Sequence, residues 1–181
     1  MSQFDCSRRK TKKHNHLTDK AEYIREARAK YEAYDADVWI KAYFDEDSGG
    51  YCVYHKKHNF SKVGGGGEVE KILGILLAKY HGKQVEFLPE GWQKQPDITF
   101  DGKTWDIKFI DQANEETIRK AIRDACKADN AIFYFTKDEK YLTLLSAIER
   151  EVGRYTKGQI KYLPDIYFIN ESRLLSVLWK K

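Results

Sequence analysis

Two aspartates and a lysine in the stretch Pro96-Asp-Ile-Thr-Phe-Asp-Gly-Lys-Thr-Trp-Asp-Ile-Lys108 have the types and spacing for work on a phosphodiester. Asp101-Gly102 is a strong two-residue hairpin turn, since both central positions of a type I′ turn need φ > 0. That turn sets Phe100 against Lys103, Thr99 against Thr104, Ile98 against Trp105 and Asp97 against Asp106. Alternation along the strands then puts Asp97, Thr99, Thr104, Asp106 and Lys108 on one face, and Ile98, Phe100, Trp105, Ile107 and Phe109 on the core face. Like charges directly opposite one another are destabilising unless something compensates. A divalent cation such as Mg²⁺ would compensate, because it takes carboxylate oxygens and is often held by one or two carboxylates plus phosphate. Lys108, about 7 Å beyond Asp106 on the same face, is placed to act on the scissile phosphate or a metal-bound water. The hairpin reads as half of a metal-dependent phosphodiesterase site.

The elements that must position this hairpin follow a regular order. Thr18 caps an amphipathic helix over 18–34, and 38–44 and 51–55 form a hairpin around an acidic, glycine-containing turn. A second helix, 68–81, carries Val69, Ile72, Leu73, Leu76 and Tyr80 at helical spacing, with Glu68 and Glu70 in its first turn. The four glycines before it lack the Gly-Lys-Ser/Thr ending of a P-loop. A strand over 84–88 leads into the aspartate hairpin. Asn114 caps a helix over 114–128, followed by a strand at 131–135, a helix at 142–152, a strand within 160–169 interrupted at Pro164, and a short terminal helix from Ser172. The expected fold is α/β (α+β), a mixed central sheet flanked by helices, with an N-terminal helix and hairpin as an extension.

Composition narrows the class. At 181 residues, 41% hydrophobic and 33% charged, the chain suits one domain with a proper core. The division expected is a basic tail at 1–16, the extension at 17–62 and the core at 63–181. The formal charge of +4 lies in that tail, where five Lys/Arg face one acid. Such an arm, without hydrophobic periodicity, is expected to be mobile and suits phosphate backbones. Cys6, Cys52 and Cys126 form no C-x-x-C and leave an odd count, against a disulfide framework or a thiolate zinc site. No apolar run is long enough to span a membrane. Further basic residues that can meet nucleic acid are His55, Lys56, Lys57 and His58, and on the 114–128 helix Lys120, Arg123 and Lys127. For the His-Lys-Lys-His run, surface basicity is the reading preferred over a zinc site.

The helix glutamate, then Pro96-Asp97, then Asp106-Ile107-Lys108 on the paired strand resembles the PD-(D/E)xK nuclease superfamily, the restriction-endonuclease-like fold. More narrowly, the Pro-Asp, the hairpin and the Trp-Asp-x-Lys, followed by a helix and the 131–135 strand, look like the C-terminal tRNase domains of contact-dependent growth inhibition and related polymorphic toxins. The resemblance covers about residues 64–170. One departure is Asp106, where these domains often carry Glu; Asp keeps the oxygen ligand on a shorter arm.

That resemblance implies a metal-dependent endoribonuclease of toxin type acting on tRNA. Asp97 and Asp106 would hold Mg²⁺ or a related ion, Glu68 (or Glu70 if the helix is rotated) would orient a ligand water, and Lys108 would stabilise the attacking hydroxide and the charge on the phosphorane. If an RNA 2′-OH is the nucleophile instead, metal becomes dispensable and His55 or His58 can serve as the base. A toxin implies a cytoplasmic site of action, release from a larger secreted chain, and an acidic immunity partner covering the site. The motif does not choose the sugar, so a DNA endonuclease of the same fold is an alternative. A non-catalytic nucleic-acid- or protein-binding domain is the alternative from another class.

Overall fold

The computed structural model describes residues 7–60, 66–91, 95–110, 114–125, 128–135, 141–169 and 175–181. It is a mixed α+β fold whose eight strands form one sheet in sequence order. The chain runs α1 (Ser7–Glu32), β1 (Trp39–Phe44), β2 (Tyr51–His55), α2 (Gly66–His81), β3 (Gln84–Phe87), β4 (Ile98–Phe100), β5 (Lys103–Ile110), α3 (Glu115–Asp124), β6 (Asn130–Phe135), α4 (Tyr141–Thr156), β7 (Asp165–Ile169) and β8 (Leu175–Trp179). The first hairpin is part of this sheet, because β2 pairs in parallel with β3. Antiparallel pairing continues through β3, β4 and β5. The sheet then turns parallel through β5, β6 and β7.

Alternation sorts the helices to the two faces. Cys52, Val85, Phe87, Ile98, Phe100, Trp105, Ile107 and Ile132 face Leu73, Leu77 and Ala78 of α2. Tyr51 and Val53 face Ala27 of α1 on the opposite side. On that same opposite side Ile110, Ala131, Phe133 and Ile166 pack beneath α3 and α4 through Ile118, Ile122, Leu144 and Ile148. The register carries this second face across the sheet from Val53 through Glu86, Thr99 and Thr104, and alternation along β5 adds Asp106. The polar stripe therefore lies between α1 and the α3–α4 pair. At Gly74, α2 comes so close to β3 that a Cβ would stand 2.4 Å from the Phe87 ring.

Three expectations about elements fail. Residues 7–16, read as a mobile arm, form the first turns of α1, while 1–6 lie outside the described residues. α3 ends at Asp124 instead of 128, and Asp129 is tied back to β5, its carboxylate accepting from the Thr104 amide at 3.1 Å and the Thr104 hydroxyl at 2.8 Å. The C-terminal segment is a strand, not a helix: Leu175-Ser-Val-Leu-Trp179 pairs antiparallel with β7. It covers the otherwise open edge of β7, whose amides and carbonyls are thereby satisfied. No described helix is long and apolar enough to cross a membrane.

Candidate nuclease site

The β4–β5 hairpin forms as its turn residues dictate. Asp101 and Gly102 take φ of 50° and 72°, and the three expected pairs, Phe100 with Lys103, Thr99 with Thr104 and Ile98 with Trp105, are all present. The ladder stops there. Asp97 does not continue it as a direct partner of Asp106. Its amide donates to the Trp105 carbonyl at 3.0 Å, and its carbonyl accepts from Leu88 of the neighbouring chain segment at 2.9 Å. Its carboxylate reaches across to accept the Ile107 amide at 2.6 Å. A side chain thus replaces a backbone acceptor where the two strands part. Neither aspartate depends on a cation alone for compensation, because each engages a donor of the protein itself.

Asp106 is fully buried on the face shared with Thr104. Its Oδ2 stands 2.7 Å from the Lys108 ammonium, which is about one-fifth exposed. A charge in this position is tolerated only when paired, since desolvation of an unpaired carboxylate costs several kcal/mol, roughly. Lys108 therefore belongs with Asp106 geometrically, as the spacing on β5 implied.

The rotation of α2 separates the two candidate glutamates. Leu73 and Leu77 are the buried stripe, and Glu70 lies three residues before Leu73, on the same side of the helix. Glu68 shares the side of Ile72, which is 54% exposed. Glu68 is accordingly in solvent, 2.8 Å from the Lys71 ammonium. Glu70 is mostly buried, with Oε2 3.9 Å from His58 Nε2. The helix is turned so that Glu70, not Glu68, lies toward the sheet, where it meets His58 on the face opposite Asp106.

His58 is not a surface residue. Its ring is nearly fully buried, edge-on to Phe60 and Phe87. Nδ1 lies 2.7 Å from the Leu88 carbonyl, which fixes the proton on that nitrogen and leaves Nε2 toward Glu70. Burial opposes the charged imidazolium, but the Glu70 carboxylate, the Leu88 carbonyl and the charge of Asp97 outweigh it and raise the pKa above the ordinary 6.5. The sequence offered one sign of this, the aromatic residue two positions on. Lys56 and Lys57 are exposed, as surface basicity requires. The His55 ring stands edge-on to Trp39 and its Nδ1 accepts from the Lys57 amide at 3.0 Å.

On α3, Lys120 is exposed, and Lys127 lies outside the described residues. Arg123 is committed elsewhere. It pairs with Glu116 at 2.9 Å and with the buried Glu151 of α4 at 3.3 Å, in a cluster that Arg119 and Arg154 complete. That cluster fastens α3 to α4.

For a metal ion, the oxygen donors of Asp97 and Asp106 suit a hard divalent cation. Glu68 does not join them, and among the described residues no three of His, Cys, Asp and Glu are grouped to hold a metal.

No protein-family model and no curated protein matches the sequence. A solved structure of a CdiA-CT/CdiI toxin and immunity complex from Burkholderia pseudomallei is similar over 69% of this chain and 96% of that chain, with a TM-score of 0.47 and 16% identity. A likeness of that degree decides nothing about activity.

Proposed function

We propose that this chain is a metal-dependent endonuclease that hydrolyses phosphodiester bonds, with RNA, and tRNA in particular, as the favoured substrate. The observation that carries the reading is the fork between β4 and β5, where the Asp97 carboxylate is pinned on the Ile107 amide beside the strand that presents the buried Asp106–Lys108 pair. Asp97 and Asp106 would hold a divalent cation, which supplies positive charge to the phosphorane and a bound water of lowered pKa. Lys108 adds a fixed positive charge where negative charge develops on the phosphate oxygens. Glu70, on the α2 face of the sheet, holds the His58 imidazolium. The toxin class and an immunity partner rest on the motif resemblance.

A second reading has its own support in the His58–Glu70 pair. A buried imidazole with Nδ1 held by Leu88 and Nε2 facing a carboxylate is equipped to pass a proton at Nε2. With an RNA 2′-OH as nucleophile, His58 takes that proton and no metal is needed.

Incubation of the folded protein with total tRNA and with plasmid DNA, each in Mg²⁺ and in EDTA, separates the readings. Discrete tRNA fragments that require Mg²⁺ support the first, and fragments that persist in EDTA but vanish in His58→Gln support the second. Plasmid nicking in place of tRNA cleavage moves the assignment to DNA. Cleavage of neither overturns both.

A further inference from the structure

On the α2 side of the sheet, at the turn end of the β4–β5 hairpin, a cavity of about 320 Å³ opens beside Phe100, Trp105 and Tyr167. The Trp105 and Tyr167 rings lie 4.7 Å apart, and Phe100 lies 5.5 Å from Trp105. Trp105 is held in place by its indole N–H, which donates to the Phe100 carbonyl at 2.8 Å. Trp105 and Phe100 are each only 4% exposed and back the partly exposed Tyr167 ring, which forms the floor with Leu175; Lys83, Lys103 and Lys180 stand around it. Asp101 is the lining acid and faces Lys83 at 3.3 Å, so the cavity carries a net positive charge. His81 also lines it, and its Nε2 is buried without a hydrogen-bond partner. Burial keeps that imidazole neutral at pH 7, the charge of Asp101 notwithstanding.

We propose that this cavity is a nucleotide subsite, taking one base of a nucleic acid strand against a floor of Tyr167 and Leu175 and its phosphate on Lys103 and Lys180. A partly exposed aromatic ring and a cationic rim are what a base with its phosphate requires. Glu and Asp side chains of a protein partner would use the rim and leave the floor empty. Asp97 lies three residues before Phe100, about 10 Å along the chain, and the cavity opens on the sheet face opposite Asp106, so the subsite is separate from the fork. It rests on the nuclease reading for its purpose but not for its existence.

The test measures binding of a short single-stranded RNA, of a mononucleotide, of inorganic phosphate and of polyglutamate to the whole chain, by quenching of tryptophan fluorescence and by calorimetry. Asp106→Asn serves as the uncleaving background. The proposal expects the oligonucleotide and the mononucleotide to bind and inorganic phosphate to bind far more weakly. Lys103→Ala with Lys180→Ala should weaken the oligonucleotide by about tenfold or more. Both lysines are exposed, so the double variant keeps the fold. Binding unchanged in that variant overturns the proposal, as does polyglutamate binding with equal strength and equal dependence on the lysines. Loss of tRNA cleavage in Asp106→Asn with binding intact bears on the fork alone, so the two readings fail separately.

Discussion

The Asp97 carboxylate accepts the Ile107 amide proton at 2.6 Å, one rung beyond the last regular pair of the β4–β5 ladder. The same side chain is therefore both a structural acceptor and a candidate ligand, and the two roles separate by substitution. Asp97→Ala leaves a part-buried amide unsatisfied and should lower stability by about 1–3 kcal/mol in urea unfolding. Asp97→Asn keeps an acceptor oxygen and should recover most of that loss while leaving cleavage depressed by about a hundredfold or more. Equal activity in Asp97→Asn and the parent would remove Asp97 from the chemistry.

Lys108 bears on the buried Asp106 in the same double sense. Removing only the cation leaves a fully buried carboxylate without its ion pair, so Lys108→Met should destabilise by about 3 kcal/mol. Lys108→Met combined with Asp106→Asn should cost clearly less than the sum of the single changes. Additive losses in a denaturation series would show that the 2.7 Å contact contributes little.

Glu70 and Glu68 should behave as opposites. Glu68 is exposed beside Lys71 and Glu70 is mostly buried beside His58. Glu68→Gln should retain parental activity and stability, whereas Glu70→Gln should lower the cleavage rate by about tenfold or more. The reverse pattern in a rate measurement would mean that α2 is rotated from the arrangement described.

His58 predicts a pH dependence with a definite sign. Its folded-state pKa lies above 6.5, so the stability it contributes is fully present below pH 6.5 and is lost as pH rises through the raised folded value. His81 acts in the other sense: burial lowers its pKa, and its share of stability is lost as pH falls from 6.5 toward the lowered value. The His58 share is isolated by comparing the parent with Glu70→Gln in urea at pH 6 and pH 8. The parent should hold the larger advantage at pH 6, and an advantage that grows with pH would contradict the assignment.

The hairpin is legible in the sequence because Asp101-Gly102 admits few turn geometries, and a two-residue turn dictates the pairs that follow. It does not dictate how far they continue, and Asp97 leaves the ladder because its own carboxylate competes with a backbone carbonyl for the Ile107 amide. The rotation of α2 is ambiguous because Val69, Ile72, Leu73, Leu76, Leu77 and Tyr80 cover more than one side. The close seat of Gly74 against Phe87, a long-range contact, marks which side is buried. His58 sits in a basic run, and nothing local says that Phe87, 29 residues on, will close over it. The β8 segment likewise has a helical spacing of leucines, and the free edge of β7 decides for a strand.

Whether the fork at Asp97 and Asp106 cleaves phosphodiesters is tested most directly by the single-turnover rate on end-labelled tRNA in Mg²⁺ for the parent, Asp97→Asn and Asp106→Asn. Each protein is first shown to be folded by circular dichroism and urea midpoint. Discrete fragments are expected from the parent, with a rate reduced by about a hundredfold or more in both variants. Fragments released at the parental rate by either folded variant would contradict cleavage by the fork.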